Sequence, residues 1–188
     1  MAHSFTHIAG VMVIAEIIFA PGCRSTNTMS TTGIEPGNKA PAFTLTDADA
    51  KPVSLKDFAG QWVVVYFYPK ADTPGCTTEA CEFTEGIQRF ADLSAAVVGI
   101  SPDKPDALVK FRDKYKLKVT LLNDPDKAVM TPYGAYGGKM SFGNTVLGVI
   151  RSTVIVDPKG KIAYRWPTVK AAGHAEQVRK KLAELQAG

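Results

Sequence analysis

Two cysteines stand five residues apart in this sequence, at Cys76 and Cys81, and sulfur is the side-chain element best suited to redox chemistry. A third cysteine, Cys23, stands alone near the N-terminus. Three cysteines in 188 residues are too few for a disulfide scaffold, which needs a denser and even set. We therefore predict that Cys76 and Cys81 serve chemistry.

Cys76 is predicted to lie at the start of a helix. It follows a short loop and an apolar run over residues 62–68 that is typical of a buried central strand. Ala80 and Phe83 continue the helical spacing that Cys76 begins. Unpaired backbone N–H groups and the positive end of the helix dipole favour a thiolate at such a position. The alternative, a small buried apolar cysteine, fits poorly with this position and with the nearby Cys81.

Arg151 is the only charged residue between Lys139 and Asp157, in a stretch of apolar and small residues that leads into a strand. A charge in such surroundings needs a partner. If this strand lies beside the central strand, its guanidinium can reach the Cys76 sulfur and stabilise the anion. The alternative partner is a carboxylate such as Glu79, and both contacts can exist together.

The elements that must position these residues alternate between strands and helices. Strands are predicted over residues 43–47, 52–55, 62–68, 95–100, 119–122, 154–156 and 161–166. Helices are predicted over residues 76–93, 104–115, 126–133 and 173–185, and a loop over residues 137–148. This order predicts an α/β fold of thioredoxin-like type, with a central mixed β-sheet, helices on both faces and an N-terminal β-hairpin.

The first 33 residues are expected to be separate from one folded domain over residues 34–188. Residues 8–20 are apolar, which is compatible with a signal segment, but Glu16 interrupts them and they are too short to span a bilayer. The alternative is a dispensable extension, with Met29 as the true start.

The residues that end at Cys23 resemble a bacterial lipoprotein lipobox, although Ala20 and Pro21 depart from that pattern. We expect a cytoplasmic protein. The alternative is a periplasmic protein or one anchored to a membrane through Cys23.

The charge pattern argues against a nucleic-acid partner. The net charge of +4 comes from 22 Lys and Arg against 18 Asp and Glu, spread along the chain. The densest basic stretch, residues 110–118, is interrupted by Asp113 and interleaved with Tyr115 and Leu117, which is typical of a solvated helix face.

A metal site is also disfavoured. Cys76 and Cys81 supply two ligands, and His3, His7 and His174 are far away in the sequence. We expect no metal, haem or flavin, because the sulfur can carry the redox chemistry alone.

Pro69, Thr73 and Cys76 have the spacing of the peroxiredoxin active-site motif, in which Pro, three residues, Thr and two residues precede Cys. The match continues through the residues up to Cys81, and it extends over most of the chain beyond residue 36. The sequence resembles the peroxiredoxin family, and within it the peroxiredoxin Q or bacterioferritin comigratory protein subfamily. The first 33 residues lie outside the pattern.

This resemblance implies a role for each residue. Cys76 would attack the O–O bond of a hydroperoxide and become a sulfenic acid. Thr73 would hydrogen-bond the peroxide, Arg151 would hold both thiolate and peroxide, and Pro69 would cover the sulfur from water. Thr73 also precedes a proline at the first helical position, which predicts a helix N-cap.

Cys81 would be the resolving residue that forms a disulfide with Cys76. Five residues on an α-helix separate two Cα atoms by about 8.6 Å, whereas a disulfide tolerates at most about 7 Å. The first turns of the helix must therefore unwind during each cycle. The alternative is that Cys81 is a bystander and the enzyme uses one cysteine.

The partners that follow from the resemblance are a hydroperoxide substrate and thioredoxin as the reductant, with a monomer expected and a dimer as the alternative. A thioredoxin-like disulfide oxidoreductase is disfavoured because four residues, not two, separate Cys76 from Cys81. A peroxide-sensing switch that uses the same disulfide without turnover is the competing function. Steady peroxide consumption separates a peroxidase from such a switch.

Overall fold

A computed structural model describes residues 1–2, 34–141 and 143–188. Its main sheet has seven strands in the order β2-β1-β5-β4-β3-β8-β9, and β6 and β7 form a separate two-stranded sheet. The strands are β1 Thr44–Asp47, β2 Pro52–Ser54, β3 Trp62–Phe67, β4 Ala95–Ser101, β5 Thr120–Asn123, β6 Tyr136–Ser141, β7 Asn144–Val149, β8 Ser152–Val156 and β9 Ile162–Trp166. Cys23 lies outside the described residues, as does nearly all of the predicted N-terminal segment.

The central strand β3 is buried on both faces, as its apolar run predicts. It pairs in parallel with β4 and antiparallel with β8, while β1 pairs antiparallel with β2, so the sheet is mixed. Alternate residues of β3 enter two separate cores, because successive side chains of a strand point to opposite faces. Val63, Val65 and Phe67 belong to one core, and Val64 and Tyr66 to the other.

The four α-helices in the described part of the chain pack on one face of the sheet. They are α1 Pro74–Glu85, α2 Ile87–Asp92, α3 Pro105–Tyr115 and α4 His174–Ala187, and their buried side chains share the core of Tyr66. The opposite core includes Ile34 and Tyr133 and is covered by the 3-10 helix Leu55–Phe58. The sheet is flanked by helices as predicted, but the second face carries a 3-10 helix and turns in place of an α-helix, because residues 126–133 do not form the predicted helix.

Residues 126–133 form turns instead. The buried carboxylate of Asp124 accepts hydrogen bonds from the backbone N–H of Val129 at 3.1 Å and of Met130 at 2.8 Å. Lys127 has a φ of 59°, in the left-handed region that a right-handed helix cannot contain. These side-chain bonds take up two N–H groups of the segment. Two backbone bonds of helical spacing remain, from the Thr131 N–H to the Lys127 carbonyl oxygen at 3.0 Å and from the Tyr133 N–H to the Val129 carbonyl oxygen at 3.3 Å, but they do not extend into a helix.

The long helix predicted over residues 76–93 is divided at Gly86. Gly86 ends α1 and precedes α2, with φ −82° and ψ −4°. Glycine has a low helix propensity, and a Cβ at this position would lie 3.3 Å from the Glu82 carbonyl oxygen. The division gives α1 a defined end only four residues after Cys81.

The loop predicted over residues 137–148 is a hairpin of β6 and β7, paired from Tyr136 and Val149 to Ser141 and Asn144. Four glycines in this stretch hide the alternation of side chains that normally marks a strand.

Tyr66 lies against a glycine of the neighbouring strand. Gly99 is its register partner in β4, and a Cβ on Gly99 would lie 2.5 Å from Tyr66 Cζ. The Tyr66 ring stacks on Phe83 of α1, with ring centroids 4.7 Å apart. The Tyr66 ring thus lies between Gly99 of the sheet and Phe83 of α1, and a side chain at residue 99 would collide with it.

Candidate active site

The Cys76 sulfur lies where the chain passes from β3 to α1. Pro74 is the first residue of α1, a position at which proline is preorganised for the helix and lacks an N–H that would have no partner there. Cys76 is the third residue of α1 and is 1% exposed. The sulfur is therefore buried in the first helical turn, beside backbone N–H groups that the helix leaves unpaired.

Arg151 approaches this sulfur from the neighbouring strand. In the antiparallel pairing of β3 with β8, Phe67 lies opposite Ser152, so Arg151 is carried to the end of β3 from which the loop to α1 departs. Its Nη2 donates a hydrogen bond to Cys76 Sγ at 3.1 Å. The structure thus brings together the two residues that sequence reasoning selected independently.

Glu79 holds the other side of the same guanidinium. It lies one helical turn after Cys76, is 0% exposed, and its Oε2 accepts a hydrogen bond from Arg151 Nη1. Its Oε1 is buried without a partner among the described residues. Burial raises the pKa of Glu79 to about 7, and this rise exceeds the opposing effect of the Arg151 charge.

Thr73 and Pro69 lie in the loop that connects β3 to α1 beside the site. Thr73 occupies the N-cap position of α1, as predicted, but its side chain makes no capping hydrogen bond to the helix. Its hydroxyl instead donates to the Lys70 carbonyl oxygen at 2.9 Å, which fixes the turn that precedes the helix. Pro69 is half-buried at the end of β3.

The loop between β3 and α1 is anchored from the next crossover. The Asp103 Oδ2 accepts hydrogen bonds from the backbone N–H of Ala71 at 2.7 Å and from Ser101 Oγ at 2.8 Å. On the outer side, Asp72 accepts hydrogen bonds from Lys114 Nζ at 2.8 Å and from the Tyr115 hydroxyl at 2.6 Å. Four side chains from β4, the β4–α3 loop and α3 thus position the loop that delivers Cys76.

Cys81 lies on the same helix in a more open position. It is half-buried, whereas Cys76 is buried, and both cysteines are free thiols. Burial and the nearby Glu85 carboxylate raise the pKa of the Cys81 thiol. Because both residues lie within α1, their Cα atoms are separated by the helical spacing of about 8.6 Å, which exceeds disulfide reach.

Other kinds of site are less prominent in the structure. Within residues 1–2, 34–141 and 143–188, no group of three or more His, Cys, Asp or Glu side chains is placed to hold a metal ion. In the same part of the chain, no helix combines the length and the apolar character needed to cross a bilayer.

Comparison with known proteins agrees with this geometry. The model of the AhpC/TSA family matches residues 36–165. The chain belongs to the AhpC/TSA family. Peroxiredoxin Bcp of Escherichia coli is 41% identical over 145 residues, which cover 77% of this chain and 93% of the relative. A Mycobacterium tuberculosis protein provisionally named a peroxiredoxin is 54% identical over 152 residues, or 81% of this chain and 97% of the relative.

Solved structures of the family share the fold. Peroxiredoxin Q of Xanthomonas campestris superposes with a TM-score of 0.71 at 36% identity, over 77% of this chain and 90% of that one. This match confirms the thioredoxin-like α/β fold and the resemblance to the Q subfamily that the motif predicts.

Sequence reasoning missed part of this AhpC/TSA site. Glu79 entered only as an alternative partner of Arg151, although a charge one turn after Cys76 on a face shared with Ala80 and Phe83 is a usable signal. Asp103 was missed entirely. Its contact with Ala71 spans 32 residues and follows no local pattern.

Proposed function

We propose that this protein is a thiol-dependent peroxidase that reduces hydroperoxides with Cys76 and recycles the sulfur through a disulfide to Cys81. The observation that carries the proposal is the 3.1 Å contact between Arg151 Nη2 and the buried Cys76 Sγ. Family membership supports the peroxidase class.

In the first step, the Cys76 thiolate attacks one oxygen of a hydroperoxide. An S–O bond forms, the O–O bond breaks, and the second oxygen leaves as an alcohol or water after it takes up a proton. The sulfur is oxidised to a sulfenic acid and the peroxide is reduced. Arg151 stabilises the negative charge on the sulfur and on the leaving oxygen, and Glu79 holds the guanidinium in place.

Positioning contributes more to this step than ionisation of the sulfur does. For thiols in general, a fall in pKa from about 8.5 to about 6 raises the thiolate fraction at pH 7 roughly thirtyfold. The same fall costs roughly 10- to 18-fold in nucleophilicity at a Brønsted slope of about 0.4 to 0.5. Most of the rate must therefore come from Arg151, Thr73 and the helix N–H groups acting on the peroxide. Pro69 shields the sulfur from water.

In the second step, the Cys81 thiolate attacks the sulfenic sulfur of Cys76. An S–S bond forms and the sulfenic oxygen leaves as water. A dithiol reductant, for which we propose thioredoxin, then supplies two electrons and restores both thiols. Since α1 holds the cysteines too far apart, its first turns unwind before this step.

The substrate class follows from the same site and from one relative. The X. campestris bacterioferritin comigratory protein, a relative of solved structure that is 34% identical to this chain, is described as having alkyl peroxide reduction activity. We propose that hydrogen peroxide and organic hydroperoxides are both reduced here.

Intact-mass analysis after one equivalent of peroxide tests the proposal. The wild type should lose two hydrogens as the disulfide forms, Cys81→Ser should gain one oxygen atom, and Cys76→Ser should remain unchanged. A wild type that only gains oxygen would show that Cys81 is a bystander. Steady peroxide consumption with thioredoxin and its reductase is expected, and a single turnover would favour the peroxide-sensing switch.

A further inference from the structure

One hydrogen bond joins the Cys81 turn of α1 to the start of α4. Glu82, the residue after Cys81, accepts a hydrogen bond at Oε1 from the backbone N–H of Gly173 at 2.8 Å. We propose that Glu82 is a latch that holds this turn closed and sets the rate at which Cys81 reaches the oxidised Cys76. The inference rests on the proposed function, because it assumes that Cys81 is the resolving residue.

The α4 side of the latch is fixed to the sheet. Gly173 has a φ of +75°, a conformation that glycine adopts without strain, and it directly precedes α4. The next residue, His174, is buried and shares a 2.8 Å hydrogen bond between its Nε2 and Thr153 Oγ1 of β8. Its ring meets Phe83 and Trp166 edge to face. The Gly173 N–H is therefore a fixed donor.

The α1 side is the part that must move. Cys76 is buried and bonded to Arg151, while Cys81 is half-buried near the end of α1 at Glu85. A Cys81 that leaves its helical position carries Glu82 with it, because the two are adjacent. The bond to Gly173 must therefore break before the disulfide can form.

The latch is built to be reversible. Glu82 Oε1 is bonded, but Oε2 is buried without a partner among the described residues. Opening breaks one hydrogen bond to a carboxylate and at the same time returns the unpaired oxygen to water, so the two effects oppose each other. We expect the net restraint to slow opening about tenfold.

Two substitutions at residue 82 separate this contact from the charge. Glu82→Asp keeps the negative charge but is too short to reach Gly173, whereas Glu82→Gln loses the charge and keeps a carbonyl acceptor at the same reach. Glu85→Asp is the matched control, since it makes the same change at an exposed carboxylate that has no hydrogen bond to α4 in the described part of the chain, and it keeps the negative charge that raises the pKa of the Cys81 thiol.

Acid-quenched mass analysis after rapid mixing with excess peroxide measures both steps. We expect Glu82→Asp to form the Cys76–Cys81 disulfide about tenfold faster than the wild type, and Glu82→Gln to stay within about threefold of it. Oxidation of Cys76 should be unchanged in both. Disulfide formation that is unchanged or slower in Glu82→Asp would overturn the latch, as would an equal acceleration in Glu85→Asp.

Amide hydrogen exchange on the reduced proteins tests the latch without turnover. Glu82→Asp should exchange faster than the wild type in the second half of α1, residues 79–85, while Glu85→Asp should not. If the wild type forms no Cys76–Cys81 disulfide, the proposed function fails at its second step, and the exchange result still decides the latch. Equal exchange in Glu82→Asp and the wild type would refute it.

Discussion

The two halves of α1 are held in different ways. In the first turn, Cys76 is buried, contacts Arg151, and follows a loop whose backbone is bonded to Asp103. In the second half, Cys81 is half-buried, and one hydrogen bond, donated by the Gly173 N–H to the Glu82 carboxylate, joins its neighbourhood to α4. The reduced helix therefore combines a tightly held nucleophile with a partner sulfur that is more exposed and lies next to a single hydrogen-bonded carboxylate.

This difference suits a cycle in which Cys76 is held in place until the peroxide arrives, and the turns of α1 that separate it from Cys81 unwind afterwards. A nucleophile must be preorganised before the peroxide arrives, since positioning supplies most of the rate. A resolving thiol must cross a distance that the helix forbids, so the segment around it is expected to have low local stability. Substitutions of the residues that hold either half of α1 should therefore change one step of the cycle more than the other.

The largest effect is expected from Arg151→Ala, which removes the contact that fixes the nucleophile. The rate of Cys76 oxidation should fall by about 10²–10³, as for the loss of a donor to a developing anion. Stopped-flow kinetics with hydrogen peroxide measures the rate of Cys76 oxidation, and an ultraviolet titration measures the fraction of Cys76 that is thiolate. Arg151→Lys should recover only part of the rate, because ammonium cannot bridge sulfur and Glu79 in the same fork. A rate loss no larger than the loss of thiolate would contradict the role of Arg151 in positioning.

A second effect is expected in the pH dependence of stability. The Glu79 carboxyl has its pKa raised from 4.5 to about 7 by burial, so it favours the folded state at low pH and this contribution is lost as the pH rises through 7. Burial, with the Arg151 charge, lowers the pKa of His174 from 6.5 to about 4. Its contribution is present above pH 6.5 and is lost as the pH falls through 4.

The two contributions oppose each other between their pKa values, and single substitutions should expose each one. Glu79→Gln should lose stability mainly toward acid, and His174→Gln mainly toward neutral and higher pH, by on the order of 1–3 kcal/mol. Urea unfolding of the three proteins from acid to mildly basic pH measures this. Parallel stability curves for the wild type and Glu79→Gln would rule out the raised pKa of Glu79.

The smallest effect is expected from Asp103→Ala, which loosens the loop before Cys76 without touching the sulfur. Two hydrogen bonds to Asp103 are lost, so stability should fall by about 1–2 kcal/mol and Cys76 oxidation should slow by about tenfold. The rate of disulfide formation should not fall, because the Cys81 turn is unaffected. Asp106→Ala, an exposed position in the same region, is the control and should leave the oxidation rate unchanged.

The fold and the core of the site could be predicted because they are marked by short runs of residues or by a single residue that stands out from its neighbours. The run of apolar residues in β3 marks a buried strand, and Arg151 stands out as a lone charge leading into β8. Their contact then follows from the pairing of neighbouring strands.

The features that could not be predicted depend on hydrogen bonds between side chains and backbone groups that the local sequence pattern does not reveal. Asp103 accepts a hydrogen bond from a loop 32 residues earlier, and Asp124 accepts two from a segment that is predicted to be a helix and that forms turns. Thr73 lies at the expected helix boundary, yet its hydroxyl turns back to Lys70. In each case a side chain could form hydrogen bonds with several backbone groups, and the secondary-structure propensities of the residues do not determine which bonds form.

Gly99 has a consequence for variation in this protein. Because the Tyr66 ring occupies the space where any Cβ at residue 99 would lie, even an alanine there must displace an aromatic ring that supports Phe83. A residue without a side chain, in the strand beside the one that leads to Cys76, thereby limits how α1 can be seated. Random mutagenesis should find this position among the least tolerant in the chain, although it contributes no group to the chemistry.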